Sequence, residues 1–190
     1  MSSTNLSPAM IILIVVAVLA IGVAVWMYLQ KKKTQDLRTK FGPEYDKAID
    51  AHKDRSHAES ELEKRKKRVA EFHIRPLRDD ERARYAQAWR VEQSLFVDDP
   101  RAAVRHAHAL VQDVMKQRGY PVSDFEQNAA DLSVDHPRVV EHYRIANEIA
   151  IRDGRGQSTT EDLRKAMVSY RFLFDDLLEQ YALKPEEVRK

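Results

Sequence analysis

The chain has 190 residues, of which 32 are Lys or Arg, 30 are Asp or Glu and none is Cys. Without cysteine there are no disulfides, thiolate zinc sites, cysteine-bound iron–sulfur clusters or cysteine nucleophiles. Residues 31–80 hold 15 basic and 11 acidic side chains, a local +4, and residues 81–190 hold the other 17 and 19, or −2; neither part has the single-sign field that a nucleic-acid partner requires, so none is expected.

The first element is the uncharged run Met10 to Leu29. As a helix it would reach about 30 Å, the thickness of a bilayer's hydrocarbon core, which predicts a single transmembrane helix. Met1 to Ala9 carries no basic residue, whereas Lys31, Lys32, Lys33, Arg38 and Lys40 crowd the other end. The positive-inside bias then predicts a cell inner membrane protein with a short N-terminus outside and the large C-terminal part in the cytoplasm. Trp26, Tyr28, Lys31, Lys32 and Lys33 are the expected membrane-interface residues, with headgroup binding as an added role for the lysines. Cleavage as a signal peptide would use Gly22-Val23-Ala24, but the missing basic n-region and the long apolar core favour a retained anchor. Ala20 and Ala24 form a small-xxx-small pair, a weak signal for helix pairing.

Past Lys33 the helix should continue toward Phe41, where Gly42-Pro43 breaks it and places Pro43 in the first turn of a new helix. That helix is expected to run to about Phe72, with Tyr45, Ala48, Ile49, Ala58, Leu62, Val69 and Phe72 as a thin apolar stripe. Its block Lys64-Arg65-Lys66-Lys67-Arg68 is flanked by Glu59, Glu61, Glu63 and Glu71, the pattern of a solvated face; a coiled-coil stalk or an RNA- or lipid-binding face are the sharper readings.

A denser part begins at Pro76. Asp79 or Asp80 can cap a helix carrying Tyr85, Ala88, Trp89 and Phe96. Asp98-Asp99-Pro100 reads as a stop and a new start, followed by the stripe Ala103, Val104, Ala107, Leu110, Val111, Val114 and Met115 and a glycine cap at Gly119. A short helix from about Ser123 to Leu132 has Ser123 and Glu126 at capping-box spacing. Asp135-His136-Pro137 should start another, with Val139, Val140, Tyr143, Ala146, Ile149 and Ala150 inward. Ser158 to Asp162 caps the last, whose stripe runs through Leu163, Ala166, Met167, Tyr170, Leu173, Phe174, Leu177, Leu178 and Tyr181. Phe172 falls off that stripe and should be exposed.

The expected fold is therefore all-α: a short N-terminus (1–9), a transmembrane helix (10–29), a basic juxtamembrane and charged spacer helix (30–75), a soluble helical bundle (76–183) and a loose tail (184–190).

Chemistry is hard to find in this pattern. There is no His-Glu-x-x-His, no Glu-x-x-His and no pair of histidines at i and i+4, so no metal site is expected. His106 and His108 should be partly exposed. No Gly-x-Ser-x-Gly elbow occurs, and Gly154-Arg155-Gly156 lacks the rest of a phosphate loop. No catalytic residue and no cofactor is expected, and the chain is read as a non-enzyme. The alternative is a ligand-binding or enzymatic bundle with a site near Asp131, Asp135, His136 and His142. An outward-facing envelope protein would follow if the anchor inserts the other way.

Several segments carry a resemblance. They are Phe41 to Asp46, Arg75-Pro76-Leu77, Phe96 to Pro100, Arg118 to Pro121, Ala130 to Pro137, His142-Tyr143-Arg144 and Thr160 to Arg164. Together they resemble a family of uncharacterised bacterial helical proteins, often with an N-terminal membrane segment. The resemblance implies a shared fold and carries no established activity. The expected function is a membrane-anchored helical adaptor or scaffold whose partners are the lipid bilayer and another protein or a second copy of itself.

Overall fold

A computed structural model describes the backbone of residues 8–179 and the side chains of residue 13 and residues 16–178. The expected N-terminal segment as far as residue 7, the end of the expected bundle including Tyr181, and the tail 184–190 lie outside the described residues. Among those residues all regular structure is helical: α1 Pro8–Phe41, α2 Pro43–His52, α3 Arg55–Ala70, α4 Asp79–Asp98, α5 Pro100–Arg118, α6 Phe125–Asp135, α7 Val140–Gly154 and α8 Thr160–Glu179. The all-α expectation holds, and so does the bundle.

α1 contains the apolar run and continues without a break into the charged segment. Among the described residues no helix is long and apolar enough to cross a membrane; the expected span 10–29 lies partly outside them, since the side chains of 10–12, 14 and 15 are not described. Beyond Lys33 the helix acquires a buried face. Leu37 and Phe41, one turn apart, are 1% and 0% exposed. Gly42 ends α1 with φ 49°, and Pro43 opens α2 as the sequence predicts.

The single helix expected from Pro43 to about Phe72 is instead a hairpin of two. Lys53 turns the chain in the left-handed region at φ 54°, and Asp54 caps α3 by accepting from the backbone N–H of Ser56 and His57. A short carboxylate cap closed a turn that contains neither Gly nor Pro. α2 and α3 fold back on the end of α1, so the spacer and stalk reading is replaced by a small core of Leu37, Phe41, Tyr45, Ala48, Ala58, Leu62 and Val69, completed by Val134 of α6.

The larger core lies among α4, α5, α7 and α8, where α5 packs on α4 and α8, and α8 packs on α7. Its stripes match those predicted on α5, α7 and α8, with Leu110, Val139, Ala150 and Leu178 at their edges. Trp89 stacks on Phe174 at 4.8 Å between ring centroids.

α6 joins the two cores. Ala129 and Leu132 enter the larger one and Val134 the smaller. Its cap is Asp124, which accepts from Gln127 N–H at 3.0 Å, rather than Ser123. Ser123 instead exchanges two backbone bonds with the buried amide of Asn128, at 2.8 and 3.2 Å. α6 also runs through Asp135, and α7 starts at Val140 rather than at Asp135. Pro137 disfavours helical geometry at His136, which becomes the end of α6 with φ −124° and ψ 46°.

Candidate functional site

Three places hold side chains that could act. The first is the outer part of α1 and the surface beside it. Leu13, Val16, Val18, Leu19, Ile21, Val23, Val25, Trp26, Met27, Tyr28 and Leu29 are between 51% and 70% exposed. Valines, leucines and isoleucines pointing outward around a whole helix have no counterpart in a water-facing amphipathic helix, which hides one face. Lys31, Lys32 and Lys33 follow, all exposed. Because α2 runs back along α1 and α3 returns, the first turn of α3 comes to lie beside the expected interface residues. Trp26, Gln30, Lys31 and Thr34 share a groove of about 510 Å³ with Asp54, Arg55, Ser56 and Glu59. Tyr28, Lys32 and Lys33 are not part of that groove, and Lys33 instead lines a second one with Ser60, Glu63, Lys64 and Lys67.

Glu59 closes the wall between α1, α2 and α3. It is 7% exposed, and one carboxylate oxygen accepts from the hydroxyls of Thr34 and Tyr45, both at 2.8 Å, and from Arg55 Nε at 3.1 Å. Burial pushes its pKa up, but these three donors together outweigh burial and hold it below the ordinary carboxylate value.

The second place is the end of α6, where the sequence groups Asp131, Asp135, His136 and His142. Asp131 is fully buried and accepts from Arg68 Nε at 3.0 Å and Gln127 Nε2 at 2.8 Å. Asp135 accepts from the hydroxyl of Tyr120 at 3.1 Å. His136, 2% exposed, contacts Asp176 of α8 through Nδ1, and its Nε2 faces Arg118 Nη1 at 3.3 Å. Since the guanidinium only donates, Nε2 is the acceptor and Nδ1 carries the hydrogen given to Asp176. His142 stands apart on α7, its ring stacked on Phe172 at 4.6 Å. The four residues thus face separate partners, and the grooves described above lie along α1 and α3. The buried Arg118, which also donates to Leu177 O at 3.0 Å, makes this an internal tie between α5, α6 and α8. Sequence reasoning missed Arg118 because an arginine in the last turn of a helix ordinarily faces solvent.

His106 is exposed and pairs with Glu92 at 2.9 Å. His108 is half-buried, its Nδ1 at 3.0 Å from the Tyr170 hydroxyl, with its ring 6.2 Å from that of Tyr143. Burial lowers the His108 pKa and raises those of Tyr143 and Tyr170. Among the described residues no three His, Asp or Glu side chains gather in a way that could hold a metal ion.

The third place is the outer seam of α7 and α8. Phe172 is 51% exposed as its register predicts. One turn along each antiparallel helix from His142 and Phe172 stand Ile145 and Val168, 38% and 40% exposed. They extend the stacked pair into a small apolar strip bordered by Glu141, Lys165, Arg171 and Asp175. In comparisons with known proteins, the chain matches no protein family, no curated protein and no solved structure.

Proposed function

We propose that this chain is a single-pass membrane protein that holds a helical protein-interaction module against the cytoplasmic face of the cell inner membrane and catalyses no reaction itself. The observation that carries the reading is the change of character along α1: among the described residues, apolar side chains exposed on every side from Val16 to Leu29, and a buried stripe at Leu37 and Phe41. A bilayer would cover the first part as the smaller core covers the second. The basic residues after Leu29 and the absence of any before it favour a cytoplasmic module. The apolar strip of His142, Ile145, Val168 and Phe172 supports contact with another protein or a second copy, since a lone helical hairpin seam gains by being covered.

Two measurements test the parts separately. Membranes carrying the full chain are washed at alkaline pH, and a reporter active only in the cytoplasm is fused after Lys190. Retention in the membrane with an active reporter is expected; release overturns the anchor, and a silent, well-expressed fusion overturns the topology. For the interaction, a photo-crosslinking side chain is placed at Phe172 and, as a comparison, at the exposed Arg90 of α4. A defined adduct from position 172 that is absent from position 90 is expected. Monomer alone from both positions overturns the interaction reading.

A further inference from the structure

Beside the groove that contains Trp26 lies one with an unusual lining. Lys31, Thr34, Gln35, Arg38 and Thr39 of α1 and Arg55 of α3 line an open surface groove of about 450 Å³. Three cations, the Thr39 hydroxyl and the Gln35 amide face this space, the Thr34 hydroxyl beside them already donates to Glu59, and no carboxylate lines it. Lys31 has no ion-pair partner among the described residues. Arg55 spends its Nε on Glu59 and Tyr45 and stays 65% exposed, its two terminal nitrogens free of partners among the described residues. Arg38 meets Asp46 only at 3.8 Å, with both side chains about two-thirds exposed.

The position of these cations depends on the hairpin. Lys31 follows Leu29 by two residues, about 3 Å along the helix, and Arg38 by nine, about 13 Å. Arg55 is distant in sequence, yet the return of α2 and the left-handed turn at Lys53 bring it to the level of Lys31 and Trp26. Neighbouring guanidinium and ammonium groups with a hydroxyl and an amide donor are the chemistry that binds a phosphate anion. A phosphate reaching that level beside an apolar helix belongs to a lipid headgroup whose acyl chains lie along the helix.

Resting on the anchor reading, we infer that this groove binds the phosphate of an anionic glycerophospholipid in the leaflet that α1 crosses, and that this lipid fastens the α2–α3 turn to the bilayer surface.

The full chain is reconstituted in nanodiscs of phosphatidylcholine, with and without phosphatidylglycerol. Lipid retained on the protein is measured by native mass spectrometry, and hydrogen exchange is followed over residues 50–60. Preferential retention of phosphatidylglycerol and slower exchange at the turn are expected in the mixed discs. Lys31→Gln and Arg55→Gln should each cost about fivefold in that preference. Lys32→Gln removes the same charge at the same depth but outside the groove, and should cost less. Equal losses for all three would reduce the effect to diffuse surface charge and overturn the site. Insertion into both discs without any phosphatidylglycerol preference overturns the site alone, whereas failure to insert in either overturns the anchor and the site together. Soluble glycerol phosphate should leave exchange at the turn unchanged in phosphatidylcholine discs. Protection by it there would assign the groove to a soluble phosphate and overturn the lipid.

Discussion

Gly119 shows how one residue holds two segments in place. It closes α5 at φ 98°, a conformation L side chains rarely adopt, and a Cβ built there would lie 2.4 Å from the backbone oxygen of His73. The segment between α3 and α4 passes directly over this glycine and donates from Arg75 N–H to Arg118 O at 2.8 Å. Gly119→Ala therefore meets the left-handed penalty and a backbone clash at once, and should cost about 2 kcal/mol or more, lowering the thermal midpoint by about 6 °C. A midpoint unchanged in calorimetry would contradict the close approach. Glu81 ties down the same segment. It accepts from Arg75 Nη1 and Nη2 at 2.8 and 2.9 Å, from Arg78 N–H at 2.9 Å and from Gln117 at 2.5 Å. The Arg75 guanidinium, then the Arg78 N–H, hold its carboxyl down at about 2, against an ordinary 4.5. A depressed carboxylate stabilises the fold fully above its unfolded value and loses that contribution as pH falls from 4.5 toward about 2. Glu81→Gln should be less stable near neutrality and show a shallower loss across that window in urea titrations. An acid limb as steep as that of the parent protein would show that the contribution lies with other carboxylates.

At the scale of elements, the helices that read most clearly in the sequence are those with strong apolar stripes and two-sided punctuation. α5 begins at Pro100 with Asp99 accepting from Ala102 N–H at 2.9 Å and ends at Gly119, as the sequence implies. In α8, Thr159 and Asp162 exchange capping bonds, with Thr159 N–H donating at 3.0 Å and Asp162 N–H donating to Thr159 Oγ1 at 3.1 Å. The α2–α3 hairpin was illegible because its turn, His52-Lys53-Asp54, has no helix breaker and its stripe is thin. Only tertiary burial of Tyr45, Ala58 and Leu62 against Leu37 and Phe41 selects two short helices over one long one. The groove beside Lys31 was hidden for the same reason, since Arg55 reaches it only through that turn. Leu62, 0% exposed at the centre of this small core, is the residue on which the hairpin depends. Leu62→Ala should cost about 2–5 kcal/mol, with faster hydrogen exchange across residues 43–70 and little change across α7 and α8. A uniform rise in exchange over the whole chain would mean that the two cores unfold as one unit, contrary to the expected local effect.

For the whole molecule, the question is what keeps the α1–α3 layer fixed on the bundle, since few apolar side chains cross between them. Phe72 and Ile74 touch both cores and α6 puts Val134 into the smaller one and Leu132 into the larger, and ion pairs add further ties. Arg144 of α7 forms a two-pronged pair with Glu44 of α2 at 2.5 and 2.7 Å, and Glu44 is only 4% exposed. Lys47 meets Glu141 at 2.5 Å, Arg68 meets Asp131 at 3.0 Å, and Lys40 stands 3.8 Å from Asp135. Exposed pairs of this kind are worth little each, whereas breaking a buried one strands a charge. Arg144→Leu leaves the Glu44 carboxylate buried beside an alkyl chain and should cost about 3 kcal/mol, at the low end for a broken buried pair because Arg144 is 21% exposed. Adding Glu44→Met removes the stranded charge and should recover much of that loss, because an apolar pair of similar volume needs no counter-charge. If the clasp sets the posture of the bundle on α1, the single variant should also loosen it. The chain has no cysteine of its own, so spin labels on Asp50→Cys and Glu148→Cys, both exposed, report the separation of α2 and α7 without background. A distance distribution that broadens in Arg144→Leu and narrows again in the double variant is expected. One that stays narrow throughout would place the hold between the halves in the apolar contacts of Phe72, Ile74 and Val134, and the ion pairs would then be decoration on an apolar joint.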